Sequence, residues 1–182
     1  MKLTKKLLTT ALLGASVFSF QSTAWAIEQS QMIQVEQLYK QKDFKAMLAI
    51  IQPLAEQGDA ISQFLLGGMY EEGLGVKQDY FEAVKWFRKA AEQGYAKAQA
   101  SLGSMYYKGH GVKQDYFEAV KWYRKAAEQG DAKAQFIVGG SYLLGKGVQV
   151  NKSLAKEWLG KACDNGHQDG CEYYGKLNRG EM

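Results

Sequence analysis

The sequence predicts an all-α protein, an α-solenoid built from helix-turn-helix repeats, and three observations carry that expectation. KQDYFEAVKWFRKAAEQG, from Lys77 to Gly94, returns 36 positions later as KQDYFEAVKWYRKAAEQG, from Lys113 to Gly130, changed only at Phe87 versus Tyr123. Self-similarity at such a period marks a stacked repeat array. Apolar residues within each copy recur at helical spacing: Tyr80, Ala83, Val84, Phe87 and Ala91 make one stripe, which Trp86 and Ala90 widen. No segment alternates apolar and polar residues as a half-buried strand does.

The first element is a leader. Lys2, Lys5 and Lys6 form a basic start, Leu7 to Phe20 is apolar with small and hydroxyl interruptions, and Ala24-Trp25-Ala26 has the small–x–small pattern of a cleavage site. Residues 1–26 therefore read as a secretory signal peptide cut between Ala26 and Ile27. Its apolar core is short for the ~30 Å of bilayer hydrocarbon, so no stable membrane insertion is expected after cleavage. The leader's lysines supply most of the formal net charge of +4. The rest of the chain is nearly balanced and has no basic block or nucleic-acid motif, which argues against a nucleic-acid partner.

Residues 27–57 form a leading half repeat, in which Pro53 is expected to kink or shorten the helix. Three full units follow at 58–93, 94–129 and 130–165, and a truncated half, 166–182, caps the C-terminus with Asn178 where the other units carry tyrosine. Within a unit, Asp79 is placed to cap the second helix, and Glu82 completes the pattern of a capping box. Glu82, Lys85, Lys89 and Glu92 make the wet face, and Gly94 ends the helix. Another helix runs from about Ala96 to Tyr107. Gly67, Gly103 and Gly139 fall inside such helices, where glycine costs about 1 kcal/mol relative to alanine. Close approach of the partner helix explains them, with Ala83, Ala119 and Ala155 facing the gap. The pairs Gly73/Gly75, Gly109/Gly111 and Gly145/Gly147 mark the turns.

AQASLGSMYYKGHGVKQDYFEAVKWYRKAAEQG, with its LG-x-x-Y, G-x-G-V, D-x-x-x-A-x-x-W and K-A-A-E-Q-G elements, resembles a Sel1-like repeat, a relative of the tetratricopeptide repeat with a glycine-containing loop between its helices. The resemblance covers nearly all of 58–165, while LYKQKDFKAMLAIIQPLAEQG is closer to a tetratricopeptide unit with a shorter turn. It implies a concave groove lined by first-helix positions: Ile61, Phe64 and Glu71 in the first unit, Lys97, Ser104, Tyr107 and Lys108 in the second, and Lys133, Phe136, Leu143 and Leu144 in the third. These residues change from unit to unit while the packing positions repeat, as a surface for one extended partner would require. Apolar side chains among them would be unfavourable to leave wet.

Cys163 lies in the last turn of one helix and Cys171 early in the next, with Gly166 between. The two positions face each other across a helical hairpin, where an exported protein can form a disulfide. Two free core thiols are the alternative, and the absence of C-x-x-C argues against a redox-active pair. The seven residues between the cysteines match the spacing of secreted cysteine-rich Sel1-like proteins, and that resemblance implies a bridge between the helices. His110 and His167 have no H-E-x-x-H or acidic cluster around them, so neither a metal nor another cofactor is expected. Ser153-Leu154-Ala155-Lys156 matches the S-x-x-K of penicillin-recognising enzymes, but without K-T-G or S-D-N.

The expected function is that of a periplasmic or secreted scaffold or adaptor whose groove binds a peptide or partner protein, with no catalytic residues of its own. The alternative is an envelope enzyme acting on peptidoglycan or β-lactams, an activity described for some cysteine-rich relatives.

Overall fold

The structure, a computed structural model, describes residues 30–181; the expected leader and its cut site lie outside them. Nine α-helices and no strands occur among the described residues. They are α1 (30–41), α2 (Phe44–Glu56), α3 (Ala60–Glu72), α4 (Tyr80–Glu92), α5 (Ala96–Lys108), α6 (Tyr116–Glu128), α7 (Ala132–Leu144), α8 (Lys152–Asp164) and α9 (Gln168–Asn178). The chain divides into two compact units at Ile50/Ile51.

In the first unit, α1 turns into α2 through Lys42, which takes a left-handed φ of 59°. The Asp43 carboxylate then accepts a bond from the Ala46 amide at 3.1 Å, capping α2. The segment read as a half repeat thus holds two helices. Pro53 does not shorten α2, which has 13 residues like the complete helices after it. It sits on an exposed face near the helix end, where water can solvate the carbonyl that its missing N–H leaves free.

In the second unit each helix packs on the next in chain order, α3 on α4 and so on to α9. The apolar stripe read from the sequence is the core of each layer: Ala83, Val84, Trp86, Phe87, Ala90 and Ala91 are all buried, as are Ala119, Val120, Trp122, Tyr123, Ala126 and Ala127. The tryptophans are also roofed by lysine, with Lys89 Nζ 4.1 Å above Trp86, Lys125 Nζ 4.2 Å above Trp122 and Lys161 Nζ 4.4 Å above Trp158. The lysine stem covers the ring while its charge stays wet.

Asp79 caps α4 as expected, accepting from the amides of Phe81 and Glu82. The capping box does not close, because the Glu82 carboxylate turns to Lys85 Nζ at 3.0 Å and the Asp79 amide donates to the Tyr70 carbonyl at 2.9 Å. The mid-helix glycines do mark close approach, but the group that fills the gap is the large residue twenty positions on. A Cβ on Gly67 would come within 2.6 Å of the Phe87 ring, and one on Gly103 within 3.0 Å of Tyr123. Ala119 and Ala155 contribute their carbonyls, which would lie 3.1 and 3.2 Å from a Cβ on Gly103 and Gly139. In the loops, Gly111 (φ 68°) and Gly147 (φ 73°) press on the preceding layer, where a Cβ would meet the carbonyls of Tyr80 and Tyr116 at 2.1 Å. Glycine is required there for both its dihedral and its lack of a side chain.

A polar ladder runs through this core. Gln99 is buried; its Nε2 donates to the Ala91 carbonyl at 3.2 Å and its Oε1 accepts from Gln129 Nε2 at 2.8 Å. Gln129 Nε2 also donates to the Gly94 carbonyl at 2.9 Å, so the two glutamines tie α4, α5 and α6 together. Gln63 with Gln93 and Gln135 with Asn165 repeat the arrangement one layer before and one layer after. The recurrence of Gln63, Gln99 and Gln135 every 36 positions on a buried face was the signal for it.

The last layer differs. In the earlier layers Arg88 donates to the Tyr106 hydroxyl at 2.8 Å and Arg124 donates to that of Tyr142. The corresponding pair at the C-terminus is Gly160 and Asn178. Tyr174 closes over the space instead, its ring 3.2 Å from where a Gly160 Cβ would be. A disulfide joins Cys163 on α8 to Cys171 on α9, with a Cα–Cα distance of 4.4 Å.

Candidate binding groove

Two clefts open along the first helices of the repeats, and Tyr123 forms part of both. The smaller encloses about 180 Å³ and is lined by Glu71 at the end of α3, Ala100, Ser101 and Ser104 on α5, and Asp131, Lys133 and Ala134 at the start of α7. The larger, about 410 Å³, lies one layer on, between Tyr107, the α7 residues Phe136, Ile137, Leu143 and Leu144, Leu159 of α8 and Tyr173 of α9. The two are the same site in successive repeats. Glu71 becomes Tyr107, Ala100 becomes Phe136, Ser101 becomes Ile137, Ser104 becomes Gly140 and Tyr123 becomes Leu159, each 36 positions on. The frame is held constant while the chemistry switches from polar and acidic to apolar.

Glu71 is half-buried, and burial is the main cause that pushes its carboxyl above the usual carboxylate range, with Lys108 and His110 partly countering it. Its carboxylate makes no ion pair within 4.0 Å among the described residues. Asp131 is committed to its helix, accepting from the Ala134 amide at 2.7 Å. Burial also raises the Tyr123 phenol, which the neighbouring Ser104 hydroxyl partly offsets.

In the apolar cleft, Phe136 stacks on His167 at 4.5 Å and meets Tyr173 edge-on at 5.8 Å. Lys146 reaches in from the glycine loop and donates to the Tyr107 hydroxyl at 3.1 Å; that bond chiefly raises its pKa. Leu144 remains 70 % exposed. His167 has a structural task as well, its Nδ1 accepting from the Gly170 amide at the start of α9.

Seven of the eleven expected groove residues line one of the two clefts: Glu71, Ser104 and Lys133 the polar one, Tyr107, Phe136, Leu143 and Leu144 the apolar one. Ile61, Lys97 and Lys108 are exposed outside both, and Phe64 is half-buried, its ring 5.8 Å from Phe87 and 5.3 Å from Tyr95. Phe64 therefore packs against the first layer's core. Tyr123, Lys146 and Tyr173 were not read as groove residues, because each reaches its cleft from an element other than the first helices considered. Ser153 and Lys156 are exposed on α8, in an open depression with Glu157 and Tyr174.

Stacked helix pairs with glycine loops, repeated every 36 residues, define a helical-repeat protein of the α-solenoid class. The model of the Sel1 repeat matches at residues 60–95, 96–131 and 132–167, and the chain belongs to the Sel1 repeat family. No curated protein matches significantly. Among solved structures, the chain is similar to a protective antigen of uropathogenic Escherichia coli strains displaying an SLR fold, at 38% identity and a TM-score of 0.79, over 84% of this chain and 34% of that one. A Sel1 repeat protein from Oxalobacter formigenes is 39% identical with a TM-score of 0.75, over 79% of this chain and 59% of that one. Cysteine-rich protein B of Helicobacter pylori is 26% identical with a TM-score of 0.57, over 72% of this chain and 94% of that one. The chain spans less than two thirds of the first two. Proteins of this repeat generally mediate protein–protein interactions and are typically non-enzymatic scaffolds.

Proposed function

We propose that this protein is an exported scaffold or adaptor that holds an extended segment of a partner protein along its first-helix groove. The observation that carries the reading is the apolar cleft around Phe136, where Tyr107, Leu143, Leu144 and Tyr173 border about 410 Å³ of unfilled space. A wet apolar surface of this kind marks an interaction site more often than neutral drift.

Export is supported by the leader pattern in the sequence and by the Cys163–Cys171 bridge, since disulfides persist in oxidising compartments.

The test is capture from an envelope extract by the wild type and by Phe136→Ser and Tyr107→Ser variants, alongside thermal melts. A partner retained by the wild type and lost by both variants, with melting temperatures within a few degrees, is expected. Equal capture by all three, or none by any, would remove the groove from the function.

A further inference from the structure

We propose that the groove selects segments carrying a lysine or arginine and, about three residues away, a large apolar side chain, the cation entering the Glu71 cleft and the apolar group the Phe136 cleft. The proposal rests on the reading of the groove as a peptide site and names what that site prefers.

The two clefts are repeat-equivalent positions, so an extended chain crossing successive layers meets them in turn. Both clefts include Tyr123 in their walls and therefore adjoin, and an extended chain in the polyproline II conformation, rising about 3.1 Å per residue, returns a side chain to the same face every three residues. Each cleft then admits one side chain, and their linings differ at five equivalent positions.

The acidic cleft favours a cation for a physical reason. Glu71 has already been taken partly out of water by the fold, yet no cation lies within 4.0 Å of it among the described residues. A ligand ammonium or guanidinium placed there gains a charge-assisted bond without a second desolvation of the carboxylate. Lys133 also lines this cleft and Lys108 acts on Glu71 from nearby, but both are exposed, where water and salt screen their repulsion. Ser101 and Ser104 add hydroxyls suited to the same ligand. In the next cleft, tyrosine replaces the carboxylate and phenylalanine and isoleucine replace alanine and serine, and the one charged lining residue, Lys146, repels a second cation, which leaves a site for apolar bulk.

The test is fluorescence anisotropy with labelled Lys-Ala-Ala-Phe and Phe-Ala-Ala-Lys peptides flanked by Gly-Ser, since the chain direction is free. Versions with Gln or Glu for Lys, and with Ala for Phe, are measured in parallel. At least one direction should bind, with Glu for Lys weakening it tenfold or more and Ala for Phe weakening it similarly. In Glu71→Gln the Lys-over-Gln preference should vanish while the Phe-over-Ala preference stays; in Phe136→Ser the reverse should hold. Both variants must melt as folded proteins. Equal or tighter binding of the Glu peptides, or a Lys preference unchanged in Glu71→Gln, would overturn the charge assignment and leave the peptide groove standing. Absence of binding by every peptide would overturn the groove reading and this proposal with it.

Discussion

A methyl group at Gly67 would lie 2.6 Å from the Phe87 ring, whereas one at its neighbour Gly68 would meet nothing within 4 Å. Alanine is the better helix former by about 1 kcal/mol at either place. Gly68→Ala should therefore raise the melting temperature and Gly67→Ala should lower it, a contrast that differential scanning calorimetry would read directly. Glu71 makes a second residue-scale prediction. Its raised pKa means that the folded chain holds the proton to higher pH than the unfolded chain. That contribution favours folding below the ordinary carboxylate range and is lost as pH rises through the raised value. Glu71→Gln should thus melt at or above the wild type at neutral pH, and the difference should disappear on acidification below the ordinary carboxylate range.

At the scale of the element, α9 has the weakest packing of the helices in the second unit. Gly170 is its one buried residue, and the arginine–tyrosine bond of the earlier layers is absent there. The disulfide anchors it; closing so short a loop stabilises by about 2–3 kcal/mol on the chain-entropy estimate. Reduction should accelerate amide hydrogen exchange in α9 before α4 to α6, which are held from both sides. Because Tyr173 forms a wall of the apolar cleft, reduction should also weaken any ligand seated against Phe136. Uniform loosening of all layers on reduction would contradict this account. The packing helices give the opposite expectation: Trp122→Ala should cost about 3–5 kcal/mol, measured by denaturant unfolding, because Trp122 is buried between layers and roofed by Lys125.

Over the whole molecule, the repeat made most of the fold legible. Asp79 and Asp115 cap, Gly73 and Gly109 stop, and the same apolar stripe returns, so helix ends could be read to within a residue or two. What escaped depends on partners that lie far apart in the chain. Glu82 has the spacing of a capping box, but the Asp79 amide it would reach already donates to the Tyr70 carbonyl on the preceding helix. Phe64 varies like a surface residue, yet Tyr95, from the turn after α4, draws it against the core. The groove was visible as variation on the first helices; its division into an acidic and an apolar cleft was not, because Tyr123, Leu159 and Tyr173 complete it from three other helices.

The claim on which the functional account depends is that a partner lies along this groove and not elsewhere on the solenoid. Site-specific photo-crosslinking tests it most directly, with benzoylphenylalanine placed in the living cell at Leu144, 70 % exposed beside the apolar cleft, or at Phe81, 76 % exposed and outside both clefts. One discrete adduct from Leu144, lost when Phe136→Ser is added and absent from Phe81, is the predicted result. An adduct from Phe81 with none from Leu144 would contradict it.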